Sequence, residues 1–135
     1  MSTIRKKIMK LKFKTAKKPK NVASAIRRYI RSTGNEVSKS RCLELSAAMF
    51  GYRHWNELLA NLDPEADSLP DGYVSQDEIR LRVDQYLHAL QRFGFSDAEA
   101  WALLEGTRSG RWFGKYVELA RTEQQANRSF TNAAA

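Results

Sequence analysis

The fold is decided by residues 38–62, which read SKSRCLELSAAMFGYRHWNELLANL. Apolar residues recur at helical spacing on both sides of a single glycine, Gly51. Before this glycine the apolar arc is broad, which indicates a helix that packs on two sides and ends near Phe50. After it, a shorter helix over 53–62 turns Trp55 inward. The stretch therefore predicts two helices joined by a tight turn.

The segments on either side continue the helical pattern. Upstream, Asn21 is a good N-cap and Gly34 a good C-cap, so we expect a helix over about 21–33. Downstream, the pairs Ser75/Glu78 and Ser96/Glu99 have the spacing of capping boxes and predict two more helices. A last helix is expected from Trp112 to about Glu123. The chain is therefore predicted to be all-α, with about six short helices in two three-helix clusters.

The charge distribution divides the chain into a basic and an acidic half. Residues 1–62 hold fifteen Lys or Arg and three Asp or Glu, whereas residues 63–135 hold eight and twelve. The sign changes at the turn-rich linker that follows residue 62. We accordingly predict a basic arm at 1–20, a three-helix unit at 21–62, an acidic helical unit at 73–122 and a frayed tail at 123–135.

The N-terminal arm is expected to be flexible when free, because like charges repel and little apolar area can be buried. Its period-two stretch over 10–14 fits a strand and its wider apolar spacing fits a helix, so periodicity does not decide its structure. A concentration of positive charge attracts polyanions and binds them through counterion release. A solubilising basic tail is the alternative interpretation.

Candidate nucleic-acid contacts follow from this charge, with DNA favoured over RNA. The arm would follow phosphates, the arginine face of the first helix would fix orientation, and the third helix would reach base edges. With six to ten phosphate contacts, affinity should fall by about 10³–10⁵ between 50 and 200 mM salt. The residues are Lys10, Lys12, Lys14, Lys17, Lys18, Lys20, Arg27, Arg28, Arg31, Arg53 and Asn56.

Residues 38–62 can be compared with a helix-turn-helix, because Ala47 and Gly51 have the spacing of its bend. In that interpretation Arg53 and Asn56 would enter the major groove. Against it, Glu57 stands where an inward apolar residue is expected. A three-helix packing unit of similar outline is the alternative.

Catalysis is not indicated by the sequence. His54 and His88 fall on different predicted helices, and Cys42 lies alone on an apolar arc, so no metal site or nucleophile is predicted. We expect no cofactor and no enzyme activity. A lone cysteine fits a reducing compartment, and no apolar run reaches the length of a membrane span, so we expect a cytoplasmic protein without membrane contact.

The acidic half carries aromatic residues that fit either a core or a protein-docking surface. Aromatic side chains with arginine are typical interface anchors when they are exposed together. A protein partner would then be held by Trp101, Arg108, Arg111, Trp112 and Tyr116.

Residues 22–62 also resemble a known family, through Leu43-Glu44-Leu45 followed by Gly51-Tyr52-Arg53-x-Trp55-Asn56. The pattern is similar to the glyoxalase-related helical domain of bacterial, often plasmid-borne proteins. The resemblance implies a helical fold and a bacterial, mobile-element origin. It does not imply glyoxalase chemistry, because no stretch of this chain would supply the strands and His/Glu ligands of the accompanying metal domain.

Two functions of different classes follow. The first is a small nucleic-acid-binding or regulatory protein that contacts phosphates through its basic half, while the acidic half contacts a protein. The alternative is a protein-interaction module, such as an inhibitor, adaptor or antitoxin-like factor, whose basic half docks an acidic protein. A third class, an accessory domain of a separate enzyme, would be compatible with the family resemblance.

Overall fold

The computed structural model describes residues 8–107, 112 and 113. Five α-helices and one 3₁₀ turn occur among them, and these described residues contain no strand. The all-α prediction is therefore confirmed. The predicted sixth helix lies outside the described residues, except for Trp112 and Phe113, which lie in a bend. The elements are α1 Lys17–Ser32, α2 Lys39–Met49, α3 Trp55–Ala60, the 3₁₀ turn Asp71–Tyr73, α4 Gln76–Arg92 and α5 Asp97–Gly106.

Helix α1 begins one turn earlier than predicted. Its first residue is Lys17 rather than a residue after Asn21. Pro19 does not stop it, because proline is tolerated in the first turn of a helix, where the backbone N–H has no intrahelical acceptor. The end is as predicted, since Gly34 has a φ of 87° and donates its N–H to the Arg31 carbonyl at 3.0 Å.

Serine hydroxyls cap three of the other helices, two of them at the predicted residues Ser75 and Ser96. The Ser38 hydroxyl accepts the Arg41 N–H at the start of α2. The Ser75 hydroxyl accepts the Glu78 N–H at the start of α4. A reciprocal capping box begins α5, where Ser96 accepts the Glu99 N–H and the Glu99 carboxylate accepts the Ser96 N–H. Each such cap contributes about 0.5–2 kcal/mol, so these three boundaries are set locally.

Helix α2 lies at the centre of the fold, as its broad apolar arc predicts. It packs against α1, α3 and α4, while α5 packs against α4 and α1. The buried side chains of all five helices form one continuous hydrophobic cluster. The described helices of the two predicted clusters therefore share a single core.

Residues 8–16, which we call the N-terminal segment, are not a flexible arm. Leu11 and Phe13 are buried, with only 3% and 1% of their surface exposed. The Leu11 N–H donates to the Phe50 carbonyl at 2.9 Å, and the Phe13 carbonyl accepts the Asp63 N–H at 2.9 Å. The prediction fails here because the period-two alternation turns two apolar side chains into the core, while the flanking Lys10 and Lys14 are exposed. Residues 1–7 lie outside the described residues.

Gly51 leaves room for the N-terminal segment because it has no side chain. Its φ is 97°, and a Cβ placed on it would collide with the Met9 carbonyl oxygen. The neighbouring Tyr52 hydroxyl donates to the Leu11 carbonyl at 2.8 Å. On the other side, the Gln85 side chain of α4 donates to the Met9 carbonyl and accepts the Met9 N–H. The turn after α2 is therefore built to receive a strand-like segment.

Three aromatic rings join the two ends of the described chain. The centroid of Phe13 lies 5.0 Å from that of Phe50 and 5.5 Å from that of Trp112. The centroids of Phe50 and Trp112 are 5.3 Å apart. Offset and edge-on arrangements at such distances add about 0.5–1.5 kcal/mol per pair beyond their burial. The N-terminal segment thus takes part in the central packing of the fold.

We expect Gly51→Ala to destabilise the protein more than Gly34→Ala. Both glycines have a positive φ, so both substitutions cost about 1–2 kcal/mol of backbone strain. At Gly34 an added Cβ meets no atom within 4 Å, whereas at Gly51 it meets backbone atoms of the N-terminal segment. Displacing these atoms loses at least one backbone hydrogen bond, an extra loss of about 0.5–1.5 kcal/mol. Urea unfolding of both variants measures the difference, and equal losses would contradict the docking role.

Candidate nucleic-acid interface

A basic groove lies between α1 and α2 and encloses about 370 Å³. Five of its lining side chains are cationic and none is acidic. The floor between them is apolar and is formed by both helices. The lining residues are Lys20, Ala23, Ser24, Arg27, Arg28, Arg31, Lys39, Cys42 and Leu43.

Helical spacing explains why the cations of α1 share one face. Lys20, Arg27 and Arg31 follow one another at intervals of seven and four residues, which returns a side chain to the same side of an α-helix. The opposite side of α1 carries Val22 and Ile26, which are buried in the core. Packing of the apolar side therefore leaves the basic side as the outer wall of the groove.

The loop from α1 to α2 holds one of the arginines of the groove. The Arg27 Nε donates to the Val37 carbonyl at 3.2 Å, which fixes the guanidinium beside the loop. Lys39 follows at the start of α2 and adds the fifth positive charge. Arg28 and Arg31 are exposed, so their guanidinium groups are open to a ligand.

The Cys42 thiol at the floor of the groove carries no charge, although two arginines lie near it. Burial raises the pKa of the Cys42 thiol, while the charges of Arg27 and Arg41 act in the opposite direction. The thiol is therefore neutral at pH 7 and behaves as a small apolar group. A concave surface with charge of one sign around a low-dielectric floor concentrates the electrostatic potential.

The groove brings together four of the eleven predicted contact residues: Lys20, Arg27, Arg28 and Arg31. Sequence reasoning missed Lys39, because its approach to the arginines depends on how α1 and α2 pack. Only the distance of five residues from Gly34 could have indicated a short loop that returns α2 beside α1. Binding by any of these side chains stays a prediction.

The predicted lysines of residues 10–18 lie on a fixed surface instead of a mobile arm. Lys10 places its Nζ 5.8 Å from the centre of the Tyr52 ring. Lys18 pairs with Asp67 at 2.9 Å, and the hydrogen bond from Lys18 lowers the pKa of that carboxyl. Lys12 is half-buried, while Lys14 and Lys17 are exposed. These five residues do not line the groove.

The surface at the start of α3 is less suited to phosphate. Arg53 and Asn56 are exposed, as predicted for base contacts, but α3 is only six residues long. The Glu44 carboxylate accepts the Trp55 N–H at 2.7 Å, and the Glu57 carboxylate accepts the Arg53 N–H at 2.8 Å. The latter bond lowers the pKa of Glu57. Two carboxylates therefore occupy the helix end that would otherwise attract an anion.

The contact between Glu44 and Trp55 also explains the sequence motif. It joins the Leu43-Glu44-Leu45 part of the motif to the part that begins at Gly51. Sequence reasoning placed these residues in one pattern without finding the hydrogen bond between them. Most of the motif is therefore structural, since it caps α3 and holds the N-terminal segment.

The predicted protein interface of the acidic half is corrected in part. Trp101 and Trp112 are only 4% and 3% exposed, so they belong to the core and are not surface anchors. Their rings pack against other core residues instead of solvent. Arg108, Arg111 and Tyr116 lie outside the described residues.

A buried polar cluster connects the linker, α4 and Trp112. One carboxylate oxygen of Asp71 accepts hydrogen bonds from Arg82 at 3.0 Å and from the Tyr86 hydroxyl at 2.9 Å. The Trp112 Nε1 donates to the same hydroxyl at 3.0 Å, and the Trp112 carbonyl accepts the Asp71 N–H at 3.0 Å. Burial raises the pKa of Asp71 to about 6. Arg82 is further paired with Glu78 at 2.6 Å.

Residues 8–107, 112 and 113 contain neither a metal-binding cluster nor a membrane-spanning helix. No group of three His, Cys, Asp or Glu side chains in these residues is placed to hold a metal ion. None of their helices has the length and apolar character needed to cross a bilayer.

Comparison with known proteins places the chain in a family. No curated protein matches it significantly, and no solved structure does. The profile of one family, described as glyoxalase superfamily protein, matches residues 9–87, which is more than half of the chain. The match includes the N-terminal segment, the Glu44–Trp55 contact and most of α4. The chain therefore belongs to this glyoxalase superfamily protein family.

Proposed function

We propose that this protein binds nucleic acid through phosphate contacts in the basic groove between α1 and α2. The observation that carries the proposal is the lining of the groove, which has five cationic side chains and no acidic one. Guanidinium groups bind phosphate oxygens in a bidentate way, which suits Arg28 and Arg31 to this role. The proposal is a binding function without catalysis, in the cytoplasm of a bacterium, with a mobile element as the source.

Two other basic surfaces of the protein already contact carboxylates. Lys18 is paired with Asp67 and does not line the groove. The N-terminal end of α3 is occupied by carboxylates, as described above. The groove differs from both of these surfaces in that none of its lining residues is acidic.

A salt titration tests the proposal with protein purified after nuclease treatment. With up to five phosphate contacts, affinity for a random DNA or RNA should fall by about 10²–10³-fold between 50 and 200 mM salt. The double variant Arg28→Gln/Arg31→Gln should bind more weakly, and its log–log salt slope should be smaller by about 1.5. Fluorescence anisotropy measures both quantities.

The matched control is Arg80→Gln/Arg92→Gln, which has the same net charge. Both arginines are exposed on α4, outside the groove. The ion pair of Arg80 with Asp77 is highly exposed, and such pairs contribute little to stability. If both double variants lost affinity equally, binding would depend on the net charge of the protein and not on the groove. Absence of binding at 50 mM salt would overturn the proposal and favour an acidic protein as the partner.

A further inference from the structure

The outer face of α1, formed by its exposed residues, is polar along the whole helix. None of these residues is apolar, aromatic or acidic. The apolar residues of α1 are buried, apart from Tyr29, which is half-buried. The residues of the outer face are Lys17, Lys20, Asn21, Ser24, Arg28, Arg31 and Ser32. A helix face with charge of one sign and uncharged hydrogen-bonding groups between the charges is complementary to a polyanion.

We propose that the outer face of α1 enters the major groove of duplex DNA, where Asn21 and Ser24 contact base edges. This inference rests on the proposed function and adds the form of the nucleic acid and the helix that reads it. The major groove of B-form DNA is about 12 Å wide and admits an α-helix. With 16 residues, α1 is about 24 Å long and can follow such a groove over several base pairs.

Helical spacing separates phosphate contacts from base contacts on α1. At about 100° per residue, Lys20, Arg27 and Arg31 fall within an arc of about 40° and line the basic groove beside α2. Ser24 lies at the outer edge of this arc, and Asn21 lies about 60° further around the helix, outside the groove. Phosphates held in the groove therefore leave Ser24 and Asn21 facing the bases. An asparagine amide pairs with the major-groove edge of adenine, and a serine hydroxyl accepts or donates at several bases.

The outer face suits duplex DNA better than the other common nucleic acids. Proteins that hold single strands use aromatic side chains on which bases stack, and the outer face has none. Duplex RNA is A-form, and its deep, narrow major groove is closed to protein side chains. An RNA duplex of equal length carries the same number of phosphates, so a preference for DNA cannot come from charge.

The first experiment compares three ligands at one salt concentration by fluorescence anisotropy. They are a DNA duplex of random sequence, an RNA duplex of the same length, and one strand of the DNA. We expect the wild-type protein to bind the DNA duplex at least about 10-fold more tightly than the RNA duplex or the single strand, equivalent to about 1.4 kcal/mol. A smaller or reversed preference would overturn the inference and leave the proposed function standing.

The second experiment tests the base contacts by selection from a library of random DNA duplexes. We expect one sequence to be enriched, and Asn21→Ala/Ser24→Ala to bind it at least about 10-fold more weakly than the wild type does. The affinity of this variant for random DNA should change less than about 2-fold, and its salt slope should stay the same, because no phosphate contact is removed. Alanine favours the helix at both exposed positions, so the variant keeps its fold.

The matched control is Gln76→Ala, which removes an exposed amide from α4. It should leave the affinity for both DNAs unchanged. Failure to enrich any sequence would overturn the inference. An equal loss of affinity for enriched and random DNA in Asn21→Ala/Ser24→Ala would overturn it as well.

The two proposals fail in different ways. If no nucleic acid binds at low salt, the proposed function is wrong and the inference falls with it. If all three ligands bind alike and no sequence is enriched, phosphate binding stands and α1 does not enter the major groove.

Discussion

Phe13→Ala is expected to destabilise the protein by about 3–5 kcal/mol. The ring is 1% exposed and touches Phe50 and Trp112, so its removal leaves a cavity among large aromatic groups that cannot easily close. Domains of this size have a total stability of about 5–15 kcal/mol. One substitution in a lysine-rich segment would therefore remove a large share of it. Urea unfolding followed by circular dichroism measures the loss.

The control for this prediction is the next residue. The Lys14 side chain is exposed, and Lys14→Ala keeps the backbone N–H that bonds to Asp67. Its effect should stay within about 0.5 kcal/mol, as is usual for surface positions. If Phe13→Ala were as mild as Lys14→Ala, the N-terminal segment would not be part of the core.

The second large effect is expected for Arg82→Met. The guanidinium and the Asp71 carboxylate are both buried, and removal of one partner of such a pair costs about 3–5 kcal/mol at neutral pH. Asp71 would keep the Tyr86 hydroxyl but lose its positive partner. The double variant Asp71→Asn/Arg82→Met should lose less than the sum of the two single variants, because no uncompensated charge remains. Urea unfolding of the three variants completes the cycle.

The pH dependence of unfolding gives a separate test of the same cluster. Burial raises the pKa of Asp71 from 3.8 to about 6, so the folded state holds the proton more tightly than the unfolded state. The resulting stability is present below pH 4 and is lost as the pH rises toward 6. Asp71→Asn should remove this pH dependence. Glu57 and Glu99 contribute in the opposite direction, because hydrogen bonds lower their pKa values. These contributions cancel when the free energy of unfolding of the variant is subtracted from that of the wild type at each pH.

Much of the helical framework could be predicted because its signals are local. Ser38, Ser75 and Ser96 cap helices by contacts within three residues. The glycines after α1 and α4 have the positive φ that ends a helix. Such features depend only on residues within about one turn of the helix end, so the sequence contains all that is needed to find them.

The N-terminal segment could not be predicted because two local signals disagree. Its charge composition is typical of disorder, whereas the alternation around Leu11 and Phe13 is typical of a strand with one buried side. The segment is ordered because Phe13 packs against the rings of Phe50 and Trp112, which lie far away in the sequence. A local pattern does not contain that information.

The candidate site could be predicted only in part. The arginine face of α1 follows from helical spacing, but the approach of Lys39 follows from the packing of α2 on α1. Asp71 was not foreseen at all, since an aspartate between proline and glycine normally marks an exposed turn. Its burial depends on Arg82 and Tyr86, which are contributed by another element.

The contact between Phe13 and Trp112 has a consequence for folding kinetics. It closes a loop of about one hundred residues, and the entropy of closing a chain rises with the logarithm of its length. Contacts between α1 and α2 join neighbours in the sequence and form without that delay. We therefore expect the α1–α2 pair, with its basic groove, to form early, and the joining of the two described ends to set the overall folding rate.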